Sequence, residues 1–554
     1  MQQRLQQQND CNLDKSHVVR DPIHGLIEIY PWEKRIIDTP EFQRLKRIHQ
    51  LGTTHYIYPG AEHSRFSHSL GVMHVATRIF DQLAKRPPLN EMISKDKEES
   101  DQQVQKLRNT VRLGALLHDI GHGCFSHAGD DSGIFPELTI GEKKESGHEA
   151  YSKLIIKQSR FEEILKEFYN DTGGVEQNDI ISALNGDIYE PDRRFIYDII
   201  SGQLDADKMD YLLRDSYFCG VKYGNYDLER LIISLRLIEI PNAGWILGVD
   251  KNGIQAVEEF VLARYWMFVQ VYFHKYRRLY DKYLVGFLVN YLHDKKYNGC
   301  YPENIDDYIK LDDYVLFNAV LRSAFSGSNP DDEKHEKQMK YFAEKLVFRG
   351  HHKIAFDPPH HHTLSKRTRE QKIEYKRYEY IKDKFTQYLK DMTESEQDAY
   401  ADDYAKGKNI RNYFDVTVYS NEEDPIYDEN GDLQERKKDE TKVPTIPVLT
   451  GEKHHPFRAI QHYSPLIDSV SDKTYSIYRI YCIEDKLESI VPKLDVLGKE
   501  AEDYIRNIKE KLHNDEAYHR EEAKRIHNER EKRIRNLALM RMKTLKMTNS
   551  DLAY

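Results

Sequence analysis

The residues best suited to chemistry lie in one short run of the chain, from Leu116 to His127. The run contains three histidines and one aspartate: His118, Asp119, His122 and His127. An adjacent histidine and aspartate offer a metal ion one imidazole nitrogen and one carboxylate oxygen from neighbouring backbone positions. Glycines at 121 and 123 predict that the preceding apolar helix ends or bends there, which places the pair at the mouth of a buried helix. Because His122 follows His118 by four residues, both rings could share one helix face.

Two other parts of the chain supply candidate ligands for the same ion. His68 stands at the start of a predicted helix, and Asp207 stands in the acidic run 203–215. Two imidazoles and two carboxylates suit Fe, Mn, Zn or Mg better than they suit a soft metal. Such a set leaves positions open for water and a phosphate oxygen, and a metal there can activate the water and polarise phosphorus. The pattern therefore predicts a hydrolytic metal site.

The composition is that of a water-soluble protein with several packed units. Of 554 residues, 31% are charged, and 82 basic against 92 acidic side chains give a net charge of −10, which argues against a protein built mainly to coat nucleic acid. Five scattered cysteines without a CxxC pair indicate reduced thiols and a cytoplasmic location. The N-terminus lacks the apolar core of a signal peptide, and no apolar run approaches the ~20 residues that span a bilayer, so we expect no membrane association.

Apolar residues at helical spacing predict a mainly α fold. This spacing occurs in 42–51, 70–83, 104–116 and 204–235, with a charged loop over 86–103, and the aromatic run 257–292 predicts one long helix. Residues 244–250, followed by Asn252-Gly253, predict a small β-hairpin beside the helical core. Beyond residue 295 we expect an α+β region. Its predicted elements are helices at 306–325 and 333–346, an exposed loop at 350–375, a turn or insert at 420–445, a strand at 475–483 and helices over 499–547.

The pattern H…HD…D, made by His68, His118-Asp119 and Asp207, resembles the HD superfamily of metal-dependent phosphohydrolases. Several runs are similar to its deoxynucleoside triphosphate (dNTP) triphosphohydrolase branch: 21–25, 36–45, 59–61, 63–71 and 203–226. The resemblance covers about residues 17–290. We accordingly expect a disordered N-terminus over 1–16, an HD phosphohydrolase domain over 17–294, a helical region with polar insertions over 295–470, and a C-terminal strand plus long helices over 471–554.

The resemblance implies a role for each matching residue. The implied metal ligands are His68, His118, Asp119 and Asp207. The implied catalytic residues are His122, His127, Asp130 and His148, with His127 as general acid toward the leaving 5′-oxygen and Asp130 as its support. The implied substrate-binding residues are Gln50, Leu51, Arg65, Lys208, Tyr211 and Asp215. These roles make physical sense, because Arg and Lys meet a polyanionic triphosphate and a poor alkoxide leaving group needs a proton.

The branch also contains enzymes that a nucleotide activates at a second site between subunits. Asp38, Gln43 and Lys46 match part of that site, although Lys46 and Arg20 depart from the usual arginine and asparagine. Lysine keeps the charge but loses the two-pronged guanidinium geometry. The family's phosphate arginine has no clear match in the helix near residue 274, where Lys275, Arg277 or Arg278 could substitute.

The resulting hypothesis is a metal-dependent enzyme that hydrolyses dNTPs to deoxynucleoside and tripolyphosphate, as a homodimer or homotetramer. Two alternatives stay open at this point. One is an HD phosphohydrolase or nuclease acting on another nucleotide or on single-stranded nucleic acid. The other is a nucleotide-sensing module whose C-terminal half binds a partner, for example in phage defence.

Other histidines and a basic segment have simpler interpretations. His49, His55 and His74 are interpreted as core or surface residues, and the histidines at 351, 352 and 360–362 as parts of a solvated loop. Residues 519–547 carry ten Lys or Arg and four Glu, a balance of +6. This basic helix is interpreted as a solvated face, with nucleic-acid binding or assembly as the weaker alternative.

Overall fold

The chain forms two units in the computed structural model. The first comprises described residues between 16 and 350 and between 426 and 467, and the second those between 352 and 405 and between 473 and 513. Up to residue 350, the structure describes 16–350 except 88, 90–96, 129–132, 142, 186–192, 241–243, 296 and 328–333. Later, it describes 352–356, 362–364, 380–381, 383–385, 387, 400–405, 426–427, 433–434, 446–449, 457–467, 473–475, 477–482 and 484–513.

The first unit is mainly helical, which confirms the predicted fold class. Its helices are α1 Pro31–Ile37, α2 Pro40–Gln43, α3 Arg65–Leu83, α4 Lys97–Leu117, α5 His148–Ile156, α6 Ser159–Glu167, α7 Gln177–Asn185, α8 Arg194–Ser201, α9 Ala206–Cys219, α10 Leu228–Ser234, α11 Ile254–Met267, α12 Lys275–Asp294, α13 Ile305–Tyr308, α14 Asp313–Phe325 and α15 Lys334–Val347. Two 3₁₀ turns, Arg44–Arg47 and Gly52–Tyr56, lie between α2 and α3.

Short strands accompany these helices. In the first unit, β1 His17–Asp21 pairs antiparallel with β2 Gly25–Ile29, and β3 Leu138–Ile140 with β4 Lys143–Glu145. A four-stranded sheet has the order β13-β12-β6-β5, formed by β5 Leu235–Ile240, β6 Gly244–Asp250, β12 Pro447–Leu449 and β13 Phe457–Ala459. The pair β10 Ile426–Tyr427 and β11 Leu433–Gln434 completes this unit's described strands. The second unit contains β7 Lys353–Phe356, β8 His362–Leu364, β9 Tyr400–Ala405, β14 Lys473–Tyr475, β15 Ile477–Cys482 and the helix α16 Glu484–His513.

The core of the first unit is centred on α3 and α4, which pack against each other and against α9 and α8. Along α3, residues such as Val72, Val75 and Ile79 are fully buried, and α4 contributes Val111 and Ala115. Burial of these side chains is the main favourable term for such helices, since a buried aliphatic side chain contributes about 1.5–3 kcal/mol. The start of α3 is held by a backbone bridge between His49 and Ser64. This bridge fixes the end of α3 at which the predicted ligand His68 lies.

Several local predictions need correction. The predicted helix 42–51 ends early, because Ile48 is extended and its carbonyl accepts a hydrogen bond from the Arg65 amide at 2.9 Å. The predicted loop 86–103 includes the first turns of α4. The hairpin is formed by β5 and β6, which pair from Leu235 opposite Val249 to Ile240 opposite Gly244, whereas Asn252-Gly253 lie in a 3₁₀ turn that leads into α11. Residues 306–325 form two helices because the Asp312 side chain caps a new one.

The predicted aromatic helix 257–292 is also interrupted. A π turn over Phe268–Tyr272 separates α11 from α12, and the Phe273 amide donates to the Phe268 carbonyl at 2.9 Å. The predicted loop 350–375 contains β7 and β8, and the strand predicted at 475–483 is found as β15. The N-terminal segment 1–15, most of the predicted turn or insert at 420–445 and the residues beyond 513 lie outside the described residues. The predicted domain boundaries stay predictions.

Candidate metal centre and active site

Three separate elements bring the four predicted ligands together. His68 lies in the first turn of α3, His118 and Asp119 lie in the turn after α4, and Asp207 lies in the first turn of α9. His68 Nε2 is 3.0 Å from Asp207 Oδ1 and 3.5 Å from Asp119 Oδ2. His118 Nε2 is 3.7 Å from the same Asp207 oxygen. The residues that the sequence places in three distant segments therefore converge on one point.

The imidazole tautomers show that this point suits a cation. His118 Nδ1 is 2.8 Å from the Ala115 carbonyl, which can only accept, so Nδ1 carries the proton and Nε2 the lone pair. His68 Nδ1 is likewise 2.8 Å from an Asp210 carboxylate oxygen. Both Nε2 atoms are buried without a hydrogen bond of good geometry. Lone pairs that face carboxylate oxygens need a positive charge between them, so the set fits a divalent ion.

The pKa shifts describe the same need for positive charge. Burial by itself lowers the pKa of His68, but the adjacent carboxylates of Asp207 and Asp210 outweigh burial and raise it to about 10. Burial raises the pKa of Asp119, yet Arg65 and the neighbouring histidines hold it well below its usual range. The carboxylates are therefore ionised, and His68 faces a strongly negative environment that a metal ion would neutralise.

Asp210 is a functional residue that the sequence analysis missed. One turn after Asp207 on α9, its carboxylate meets His68, accepts two hydrogen bonds from Arg214 at 2.8 and 2.9 Å, and lies 2.6 Å from His24 Nε2. Arg214 in turn donates to Asp21 at 2.7 Å. This buried network fixes the ring of His68. The available signal was the spacing of Asp207, Asp210 and Arg214 by three and four residues, which places them on one helix face.

Arg65 joins the centre to the neighbouring loop. Its Nη1 donates to Asp119, its Nε donates to Ser126 Oγ at 2.7 Å, and its buried Nη2 has no hydrogen-bond partner in the structure. Ser126 and Phe125 both have φ near +55 to +58°, a region unfavourable for residues other than glycine. The loop is held in this conformation partly because the Phe125 amide donates to Asp313 Oδ1 at 2.6 Å.

A cluster of three histidines lies beside the ligands. The rings of His122 and His148 stack at 3.8 Å, and His127 meets His122 edge-on at 4.7 Å. His122 is buried and His127 is exposed. Burial and the charge of Arg65 hold the pKa of His122 well below its usual value, so this ring is neutral. The predicted partner Asp130 lies outside the described residues.

The expectation that His118 and His122 share one helix face is wrong, because α4 ends at Leu117. The ring of His118 faces His68, and the ring of His122 faces His148.

Lys208, Asp215 and Tyr211, three of the predicted substrate residues, have side-chain contacts within the folded chain. Lys208 donates to the Gly202 carbonyl and to Asp205, both near the start of α9. Asp215 is 2.7 Å from His63 Nε2 through one oxygen and accepts from the Tyr272 hydroxyl at 2.7 Å through the other. Tyr211 contacts the Tyr272 ring edge-on at 6.1 Å. The π turn before α12 thus places Tyr272 on Asp215, and His63 and Tyr272 are further residues that the sequence analysis missed.

Gln50 and Leu51 are buried at the turn before α3, and the Gln50 side-chain oxygen has no hydrogen-bond partner in the structure. The residues predicted for an activator are spread over α1, α2 and the 3₁₀ turn. Asp38 pairs with Lys34, and the side-chain amide Nε2 of Gln43 donates to the Ile37 carbonyl at 2.8 Å. Lys46 lies 4.6 Å from the centre of the Phe66 ring.

Two of the residues that could substitute for the family's phosphate-binding arginine, Arg277 and Arg278, contact other parts of the chain. Arg277 donates to the Tyr272 carbonyl and lies 3.2 Å from Asp281, while Arg278 lies 5.9 Å from the centre of the Phe273 ring. Lys275 begins α12, and Arg20 is exposed on β1.

No helix among the described residues is long and apolar enough to cross a membrane.

Comparison with known protein families agrees with this architecture. The HD domain matches residues 65–214, the segment that contains all four ligands. The HD associated region matches residues 226–331, which follow α9 and run to just beyond α14. The histidines and aspartates that meet at the centre are therefore those of an HD domain, and divalent metals are the ions that HD domains bind.

Individual relatives cover part of the chain. An uncharacterised protein of Bacillus subtilis is 33% identical over 321 residues, 55% of this chain and 65% of that protein. The human deoxynucleoside triphosphate triphosphohydrolase SAMHD1 is 34% identical over 269 residues, 45% of this chain and 40% of that protein. The SAMHD1 homolog of Dictyostelium discoideum is 30% identical over 345 residues, 60% of each chain. The matches thus span less than two thirds of these relatives' lengths.

Solved structures extend the likeness in fold. A hypothetical protein from Aquifex aeolicus matches with a TM-score of 0.58 and 27% identity, over 86% of this chain and 100% of that one. A phosphohydrolase from Bacteroides thetaiotaomicron matches with a TM-score of 0.55 and 24% identity, over 84% and 99% of the two chains, and shows the fold alone. The chain therefore carries an HD domain followed by an HD associated region, and over 45% to 60% of its length it is similar to SAMHD1 deoxynucleoside triphosphate triphosphohydrolases and their homolog.

Proposed function

We propose that this protein hydrolyses dNTPs to deoxynucleoside and tripolyphosphate with a divalent metal bound by His68, His118, Asp119 and Asp207. The observation that carries the proposal is the buried ligand set beside an arginine whose Nη2 has no partner and a cluster of three histidines. The 30% exposure of the Asp207 side chain gives a substrate access to an otherwise buried centre. Similarity to SAMHD1 proteins supports dNTPs as the substrate class.

The chain's own residues would divide the remaining work. A bound divalent ion supplies Lewis-acid polarisation of a phosphoryl oxygen and lowers the pKa of water. Arg65 would donate from Nη2 to a phosphate oxygen, and Lys208 would add a second cation at the start of α9. The exposed His127 would give a proton to the leaving 5′-oxygen, with the neutral ring of His122 and the stacked ring of His148 packed beside it. Tyr211 would pack on the sugar and exclude a 2′-hydroxyl by bulk.

The experiment that tests the proposal is chromatography of the phosphate products. The purified chain is incubated with Mn²⁺ or Mg²⁺ and each dNTP, with Asp207→Ala as the control for contaminating enzymes. We expect deoxynucleoside and tripolyphosphate from the wild type only. Release of monophosphate or pyrophosphate, or activity only on phosphomonoesters or single-stranded nucleic acid, would reject the proposed reaction and favour another HD phosphohydrolase activity.

A nucleotide activator and a homo-oligomer belong to the same proposal. Asp38, Gln43 and Lys46 would bind part of the activating nucleotide, and the match of these positions to the activator site of the dNTP triphosphohydrolase branch supports this idea. Assaying dNTPs in pairs as well as singly tests it, because an activator makes hydrolysis of one dNTP depend on another. Gel filtration of the same mixtures reports whether the nucleotide also changes the oligomeric state.

A further inference from the structure

A second group of potential ligands lies in the segment between α2 and α3. His49, His55 and Glu62 each offer one ligand atom, and these atoms all lie within 4.8 Å of one another. His49 Nε2 is 3.0 Å from Glu62 Oε2, and the two imidazole centres are 5.4 Å apart. The group shares no residue with the HD centre. The fold assembles it because the backbone bridge between His49 and Ser64 brings Glu62 back beside His49.

Both imidazoles are already held as metal-binding histidines usually are. His49 Nδ1 is 2.7 Å from Asp313 Oδ2, the oxygen that also accepts the His49 backbone amide at 2.7 Å. His55 Nδ1 is 3.2 Å from the Gly52 carbonyl. A carbonyl and an ionised carboxylate can only accept, so each Nδ1 donates and each Nε2 remains as the ligand nitrogen. Metal-binding histidines almost always donate their other N–H to such an acceptor.

Exposure and charge also suit an ion that enters from solvent. The Glu62 side chain is 57% exposed, so it can rotate to close on an ion, whereas Asp313 is 1% exposed and fixed. The neighbouring Asp312 is paired with Arg47 at 2.5 Å. Asp312 therefore neutralises the charge of Arg47, so Arg47 does not repel a metal ion bound by His49.

We propose that His49, His55 and Glu62 form a second metal site that takes a transition-metal dication of the zinc class. Two imidazoles and one carboxylate are a ligand set of catalytic zinc sites, and imidazole disfavours Mg²⁺ and Ca²⁺, which prefer oxygen ligands. Three protein ligands leave a position open for water or for another ligand.

The site is connected to the HD centre through a short hydrogen-bond chain. The His49 carbonyl accepts from Ser126 Oγ at 2.5 Å, Ser126 Oγ accepts from Arg65 Nε at 2.7 Å, and Arg65 donates to Asp119. Asp313, which holds His49, also accepts the amide of Phe125. An ion on His49 would therefore stabilise the loop segment at Phe125 and Ser126 in its left-handed conformation, independently of what the HD centre hydrolyses.

The test is direct metal binding by the full chain after chelator treatment. The parent carries Asp207→Ala, to weaken the HD centre, together with His360→Asn, His361→Asn and His362→Asn, to remove the histidine run. Co²⁺ is titrated while the visible absorption bands are recorded, and equilibrium dialysis measures the stoichiometry. We expect that adding Glu62→Gln or His55→Asn removes about one equivalent of bound Co²⁺ per chain together with its visible bands, because one ligand of three is lost.

Controls separate this result from surface binding and from misfolding. Glu229→Gln also removes an exposed carboxylate that pairs with a cation, here Arg78, and it should leave the stoichiometry unchanged. Circular dichroism melting of the metal-free variants checks that they fold. An unchanged stoichiometry in both Glu62→Gln and His55→Asn, or an equal loss in Glu229→Gln, would overturn the second site and leave His49–Glu62 as a simple ion pair.

Discussion

At the scale of single residues, Asp210 decides how His68 presents its ligand nitrogen. The carboxylate of Asp210 contacts His68, His24 and Arg214 at once and is fully buried. Such a residue sets the tautomer and orientation of His68, the proposed metal ligand. We therefore regard Asp210 as a positioning residue.

We predict that Asp210→Asn weakens metal binding at the HD centre by about 10- to 100-fold, the usual effect of losing such a partner. An amide oxygen accepts the His68 Nδ1 proton less strongly than a carboxylate does. The amide also has no negative charge to neutralise the guanidinium of Arg214. Chelator competition measures the affinity, and Glu229→Gln serves as the matched surface control. Equal metal affinity in Asp210→Asn and the wild type would contradict the assigned role.

Asp198 on α8 gives a prediction about pH. Burial raises the pKa of its carboxyl to about 6, although its Oδ2 accepts the Leu247 amide at 3.1 Å. In the unfolded chain the carboxyl ionises near pH 4, so between about pH 4 and pH 6 the folded state binds the extra proton. The stability contributed by this group therefore falls as the pH rises through that window and is lost above it.

The neutral variant Asp198→Asn should remove this penalty while an amide oxygen still accepts the Leu247 amide. We predict that it is more stable than the wild type by up to about 3 kcal/mol above pH 6 and that the difference vanishes near pH 4. Urea unfolding across this range measures it. Glu239→Gln, an exposed change on the neighbouring β5, should show no such pH dependence, and a difference that grows toward low pH would refute the assignment.

At the scale of elements, the close packing of α3 against α9 depends on a residue without a side chain. A Cβ on Gly71 would lie 1.9 Å from Asp210 Oδ1 and 2.4 Å from Arg214 Nη2. Both side chains are buried in the network that holds His68, so they have little room to move. The contact between these two helices is thus also the contact that shapes the metal centre.

Gly71→Ala should therefore push α3 away from α9 and disturb His68 indirectly. We predict a loss of about 1–3 kcal/mol in the free energy of unfolding, as for overpacked cores, together with weaker metal binding. Gly327→Ala is the control, because a Cβ there meets no atom within 4 Å. Thermal unfolding and metal titration of the two variants check this, and an alanine at residue 71 that leaves both quantities unchanged would show that the helices adjust freely.

At the scale of the whole molecule, metal binding should stabilise the folded chain, because the unfolded chain does not assemble the ligand set. An ion at 100 times its dissociation constant adds about 2.7 kcal/mol per site. We predict that chelator treatment lowers the melting temperature and abolishes hydrolysis, and that added Mn²⁺ restores both. Asp207→Ala should remove the part of the stabilisation that metal binding at the HD centre provides. Glu62→Gln should remove the part that Zn²⁺ binding at the second site provides. A melting temperature indifferent to metal in the wild type would reject both sites.

The amino-acid sequence by itself determined the helical character, the helices α3 and α4, and the family-like motifs that contain the four ligands. Periodicity is a local property, and the motifs are contiguous, so both can be recognised without a fold. The same local reasoning failed at Ile48 and at the π turn after α11. At both places a tertiary hydrogen bond accompanies the departure from helical spacing: the Arg65 amide donates to the Ile48 carbonyl, and the Tyr272 hydroxyl donates to Asp215.

Only the tertiary structure decided which partners the site residues have. Asp210 and His24 are 186 residues apart, and His49 and Asp313 are 264 apart, yet each pair lies within hydrogen-bonding distance. Nothing in the local pattern of either segment specifies such a partner, because it follows from how helices and turns pack. For this reason His49 and His55 were interpreted from sequence as core or surface residues, whereas the fold assembles them with Glu62 into a group that can bind a metal ion.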